Sequence, residues 1–166
     1  MSEKLRRATE AEANALASGI RLRIIRLTFA EALTNKELAR RLGRDPATTL
    51  HHVRKLVETG FLAPQEPRRG ARGAKEIPYL STGLSWHLDS HGDRAIDQAM
   101  LEAYLAEIAD LGFEDVNQTR LVVHVSPGER AELERRLHDL LEEYRLRPAE
   151  AGVKRTAVYL STYPSR

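Results

Sequence analysis

The sequence predicts an α+β fold that is mostly helical, on three observations. Several stretches join a helix-start signal to apolar residues at helical spacing. Two short extended segments, each holding a proline, flank an arginine-rich loop, and a strand, a helix and a second strand follow one another near the end of the chain. The expected organisation is a helical unit with a hairpin over residues 1–88, then a helix and a small strand-helix-strand unit over residues 89–166.

Each element has its own warrant. Thr9 followed by Glu12 forms a capping box, and Ala13, Leu16, Ala17, Ile20, Ile24 and Leu27 recur at helical spacing, which predicts one or two helices over 9–31 with Gly19 as the point of interruption. Thr34 and Glu37 repeat the box, Leu38 and Leu42 share a face, and Gly43 stops a helix of about two turns. Asp45 is then a good N-cap and Pro46 suits the first helical position of a third helix running to Gly60. Two helices joined by a tight turn, the second with a polar and basic outer face, make a helix-turn-helix. FLAPQE and KEIPYL read as edge or irregular strands around PRRGARGA, a hairpin with an arginine-studded tip. Taken alone that tip is a flexible loop; placed directly after this helix it reads as a wing.

The remainder is organised separately. With Asp89 or Ser90 expected as its cap, a helix over about 93–111 runs through Ile96, Met100, Leu101, Tyr104 and Ile108 to Gly112. That apolar stripe suits either the core or a dimer interface. RLVVHV reads as a strand, Ser126, Pro127 and Glu129 open a helix through Leu133, Leu137, Leu140, Leu141 and Tyr144, and TAVYLSTYP reads as a second strand. Three roles stay open for this appendage: dimer reinforcement, a pocket for a small-molecule effector, or a docking face for another protein.

Composition bounds the chemistry. The 166 residues are 42% hydrophobic and contain no cysteine, which excludes disulfides, thiolate metal sites and cysteine nucleophiles. The apolar runs are too short to span a bilayer and the N-terminal MSEKLRRATEAEA is too polar for a signal peptide, so a cytoplasmic protein without a membrane partner is expected. The net charge of +2 hides an asymmetry: residues 1–88 hold 16 Lys and Arg against 9 Asp and Glu, whereas residues 89–166 hold 10 against 15. A basic first half points to a polyanion, nucleic acid being the commonest. Phosphate-cradling glycine loops, serine elbows and H-E-x-x-H are all missing, which argues against an enzyme.

Along the third helix, Leu50, Val53, Leu56 and Val57 fall on one flank and Thr48, His51, His52, Lys55 and Thr59 roughly opposite. Thr48, Thr49, His51 and His52 are expected at base edges, where a hydroxyl, a methyl or a ring nitrogen discriminates between bases, and Ala47 is expected to touch DNA beside them. Arg40, Arg41, Arg44, Arg54 and Lys55, with Arg68, Arg69, Arg72 and Lys75 of the wing, are expected at phosphates. Either histidine has an alternative use, packing back on the wing or the first helix.

LASGIRLRII, TNKELARRLGRDPATTLHHVRKLVETGFL and the basic wing behind them resemble the winged helix-turn-helix of ArsR-type bacterial transcription regulators, over about residues 12–82. The resemblance implies a homodimer that places residues 45–59 in the major groove of duplex DNA, lays the wing on the backbone or minor groove, and reads an imperfect palindrome as a repressor. Gly19 stands where many relatives have proline. The cysteine pair with which such sensors bind thiophilic metals is missing from NKELARRL. Of nitrogen and oxygen ligands only His87, Asp89 and His91, with Asp93, offer a set, and that set is the less favoured reading beside a helix start; no cofactor or metal is expected. The competing readings are a winged helix that binds only protein, and a DNA-associated protein without sequence preference.

Overall fold

In the computed structural model, residues 5–70, 73–89, 92–148 and 152–165 are described. The contacts gather into two compact units, Met1–Asp115 and Val116–Arg166.

The first unit is built on helices whose ends the sequence specifies. Helix α1 (Glu10–Leu16) is preceded by β1 (Arg6–Arg7) and opens with the Thr9–Glu12 capping box in full. Glu12 does more than cap, because Arg6 donates to both of its carboxylate oxygens at 2.6 and 2.9 Å. With these bonds and the Thr9 N–H, the carboxyl is held down at about pKa 2. Helix α2 (Gly19–Leu27) follows after Ser18, so the break falls at residues 17–18 and Gly19 is the first helical residue. The reason for a glycine there is space rather than a turn. A Cβ on Gly19 would sit 3.3 Å from the Ala103 nitrogen and 3.4 Å from the Ala99 carbonyl oxygen.

Strand β2 (Leu33–Thr34) leads into α3 (Asn35–Leu42), and α4 (Pro46–Glu58) comes next. Strands β3 (Leu62–Pro64), β4 (Arg68–Arg69), β5 (Lys75–Glu76) and β6 (Pro78–Ser81) form the hairpin. Its base is a three-stranded antiparallel sheet in the order β2-β6-β3, with Leu33 opposite Tyr79 and Ala63 opposite Leu80; β4 and β5 pair beyond it, Arg69 opposite Lys75. The third strand, β2, was not legible in the sequence, since two residues carry no periodicity. A 3-10 turn at Leu84–His87 leads to β7 (Leu88–Asp89), which runs parallel to β1.

Helix α5 (Arg94–Leu111) is capped by Asp93, whose carboxylate accepts from the Ala95 and Ile96 N–H groups at 3.0 and 3.2 Å. The expected cap, Asp89 or Ser90, is corrected: Asp89 is spent in β7, and Ser90 lies outside the described residues. Ile96, Ala99 and Ala103 are buried, Tyr104 and Ile108 half-buried, and Met100 and Leu101 exposed, so the predicted stripe is rotated toward the small alanines that let α2 approach. Arg23 pairs with Asp110 and Arg26 with Glu107 across the same seam. Since α5 packs on α2, the compact units divide at 115/116 rather than at the expected 88/89. The acidic excess moves with it. Residues 89–115 hold 1 Lys or Arg against 8 Asp and Glu, while residues 116–166 hold 9 against 7.

One core serves this unit: Ile24, Leu38, Val53, Leu56, Phe61 and Ile96 are its largest fully buried apolar side chains. Burying six such side chains contributes on the order of 10 kcal/mol before conformational costs are set against it.

The second unit contains α6 (Pro127–Arg145), opened by Ser126 and Glu129 as the third complete capping box. Residues 120–125 and 156–163, expected as strands, have no ladder partner among the described residues. Their alternation and β-branched content give strand propensity, but a strand exists only as a pair.

Candidate nucleic-acid interface

The turn between α3 and α4 fixes the start of α4. Gly43 adopts φ +61°, its N–H donates to the Arg40 carbonyl at 3.3 Å, and the Arg44 N–H donates to the Ala39 carbonyl at 2.9 Å. This pair of bonds is a Schellman closure, which needs the left-handed residue glycine supplies. Asp45 then caps α4, accepting from the Ala47 and Thr48 N–H groups at 2.8 and 3.1 Å. Asn35, at the start of α3, donates from Nδ2 to the Pro46 carbonyl at 2.8 Å and ties the two helix starts together.

On α4 the exposed residues are Pro46, Ala47, Thr48, His51, Arg54 and Glu58, and the buried ones Thr49, Val53 and Leu56. The exposed set recurs every three to four residues and forms one continuous stripe. Thr49 does not belong to it. It is 1% exposed and its hydroxyl donates to the Asp45 carbonyl at 2.9 Å, so the expected base contact is corrected to a second bond closing the first turn. His52 is half-buried, its Nδ1 without a hydrogen-bond partner among the described residues. Burial first, then the neighbouring Arg21, His51 and Arg44, push its imidazole below the ordinary histidine value, which keeps it neutral near pH 7. The two histidine rings meet edge-on at 5.9 Å, so His52 backs His51 rather than lying beside it on the open face.

The cations divide in two. Arg40, Arg44, Arg54, Arg69 and Lys75 are exposed and Lys55 half-exposed, and none of the six forms an ion pair among the described residues. Arg41 is instead paired with Glu31 at 2.6 Å. Arg68 donates from Nη2 to both oxygens of Glu37 at 2.6 Å. Neither is a free phosphate ligand in this structure. Arg72 lies outside the described residues.

Glu37 was legible only as a cap. It accepts from the Thr34 N–H at 2.8 Å while holding Arg68 from 31 positions along the chain, and its carboxyl is lowered first by the Thr34 N–H and further by Arg68. The base of the wing is thereby anchored to the start of α3. At the tip, the Gly70 N–H donates to Ala74 at 2.7 Å and Gly73 adopts φ +76°. Gly70 leaves room for Glu76, whose carboxylate a Cβ there would overlap at 2.2 Å. Each of the two glycines thus has a reason internal to the hairpin.

Among the described residues no group of three His, Asp or Glu side chains could hold a metal ion; His91 of the less favoured set lies outside them. Nor is any described helix long and apolar enough to cross a membrane.

Comparison with known proteins gives the following. A search of curated proteins finds no match. Among solved structures, the chain is similar to reduced HlyU from Vibrio cholerae (20% identity over 57% of this chain and 84% of that one, TM-score 0.36). It is also similar to ZitR of Lactococcus lactis in complex with DNA (18%, 76% and 74%, 0.32). A third similar structure is the zinc-dependent MarR-family regulator AdcR in its zinc-bound state (25%, 76% and 74%, 0.34). Residues 16–65, from the end of α1 to just past β3, match the family model described as "Helix-turn-helix domain", and with the hairpin that follows them they form a winged helix-turn-helix.

Proposed function

We propose that this chain is a sequence-specific DNA-binding transcriptional regulator that acts in the cytoplasm as a homodimer. In this reading α4 enters the major groove, the wing lies on the backbone or in the minor groove, and the dimer represses by occupying a palindromic operator. Thr48 and His51 read base edges, with Ala47 beside them. Arg40, Arg44, Arg54, Lys55, Arg69 and Lys75 neutralise phosphates.

The observation that carries the reading is the exposed stripe of α4. A helix capped, closed and buried on one side by specific bonds leaves Thr48, His51 and Arg54 outward, their side chains forming no hydrogen bond or ion pair among the described residues. The helix-turn-helix match and the resemblance to ArsR-type regulators support it. The test is selection of bound fragments from a random duplex library, followed by titration of the winning fragment and a scrambled one at two salt concentrations. Enrichment of a two-fold-related site with a steep salt dependence is expected. Binding that ignores sequence, or no binding, would instead indicate a nonspecific DNA-associated protein or a winged helix that docks protein.

A further inference from the structure

His52 makes none of the proposed DNA contacts, and its Nδ1 is buried without a hydrogen-bond partner among the described residues. Buried polar atoms are nearly always paired, so this one calls for a reason. Its surroundings come from every element packed on α4. From α2 comes Arg21, held in place because its Nε and Nη2 donate to the Ala15 and Asn14 carbonyls in the last turn of α1, at 2.5 and 2.6 Å. The turn after α3 brings Arg44, and α4 itself brings His51. Strand β3 carries no charged residue, and Glu37, the one carboxylate of α3, is held by Thr34 and Arg68. Burial and these positive neighbours keep the imidazole neutral near pH 7.

Protonation makes both ring nitrogens donors. The Nδ1 N–H is then buried beside two guanidinium groups, with no acceptor for it among the described residues. A half-buried ring escapes that position by turning out toward water, and in doing so it abandons His51. The two rings meet edge-on at 5.9 Å with an interplanar angle of 65°, a contact that favours one orientation of the outer ring. Orientation is what a ring nitrogen needs if it is to tell one base edge from another.

We propose that His52 is a positioning residue for base reading: neutral, it seats the His51 ring toward the base edge, and protonated, it releases that ring and relaxes sequence preference. The inference rests on the reading of α4 as the helix that enters the major groove and adds a proton-dependent specificity to it.

The test is the ratio of affinities for the selected and the scrambled duplex, followed between about pH 8 and pH 5; a histidine cation that merely attracts phosphate raises both affinities and leaves their ratio alone. For the natural chain the ratio should fall by about tenfold as the pH drops, the contribution of one base contact. His52→Ala should show the low ratio throughout. His52→Phe restores an aromatic edge that gains no proton, so it should keep the high ratio at both ends of the range. In a His51→Ala background, His52→Ala should change the ratio by less than about twofold, because nothing is left to position. Circular dichroism at each pH checks the fold, and if His52→Ala does not fold, the His52→Phe profile decides. A ratio that ignores pH, or a folded His52→Ala chain with the natural ratio at the alkaline end, overturns the proposal. So does a His52→Phe chain that loses its ratio as the natural chain does, which assigns the proton to His51 instead. A natural chain without sequence preference at any pH overturns the DNA reading as well, which keeps the two failures distinct.

Discussion

Arg69→Ala offers the sharpest reading of the interface because it addresses contact and stoichiometry together. Arg69 is exposed in β4, opposite Lys75, and forms no ion pair among the described residues. A cation that neutralises one phosphate contributes about 0.9 to the slope of log K against log salt, worth about 1 kcal/mol at 0.15 M. If both wings of a homodimer touch the backbone, the substitution removes two such contacts. The slope should become shallower by about 2, and affinity at 0.15 M should fall by about 2 kcal/mol, alike on cognate and scrambled DNA. The contrast is Arg68→Ala combined with Glu37→Gln. That double change deletes a pair already neutral in the structure, and glutamine retains the cap on α3, so the slope should move by less than about 0.5. Fluorescence anisotropy of a labelled duplex over a salt series reads both. A change near 1 for Arg69→Ala would mean that only one wing is engaged, and no change would remove the wing from the interface. Equal slopes for the two variants would refute the division of cations into free and paired.

Four further outcomes follow from the geometry. Thr48→Ala and His51→Ala should each weaken the selected site by about 1–3 kcal/mol while barely affecting scrambled DNA, measured by competition titration. Thr49→Val, which removes a buried hydroxyl bonded to Asp45, should leave sequence preference unchanged and lower stability by about 1 kcal/mol in urea unfolding. Glu12→Gln should lose a stabilisation that is fully present above pH 4.5 and fades as pH falls from there toward 2, because the folded carboxyl titrates at about 2. With Arg6 half exposed the loss at pH 7 is about 1–2 kcal/mol, and the two unfolding midpoints should converge only as the pH falls to about 2. Gly19→Val should cost about 1–3 kcal/mol in thermal unfolding, since its side chain meets the α5 backbone; an unchanged midpoint would show that the α2–α5 seam yields freely.

The helix starts were legible because capping is local. Thr9 with Glu12, Thr34 with Glu37, and Ser126 with Glu129 all form boxes as the three-residue spacing predicts. The outward face of α4 was legible at Thr48 and His51, whereas His52, Lys55 and Thr59 of the predicted face are only half exposed and Thr49 is buried. A threonine next to an exposed threonine has no sequence mark of burial, and here the hydroxyl bonds the turn before it. What sequence did not reveal are pairings across distance: Arg68 with Glu37, Arg41 with Glu31, β2 with β6, and the seam of α5 on α2. The charge halves misled through one helix. Cutting the chain at residue 88 assigned the acid of α5 to the second unit, although α5 belongs to the first and uses part of that acid on Arg23 and Arg26.

The anchorage of Arg68 on Glu37 also bears on the thermodynamics of association. A wing hinged freely at its root would surrender rotamer and backbone freedom each time it settled on a phosphate, a cost of about 0.5–1.5 kcal/mol per immobilised side chain. Here the root is ordered against α3 before any ligand arrives, so that freedom is lost once, during folding, and not again in each encounter. The start of α3 and the wing root therefore form one preorganised surface.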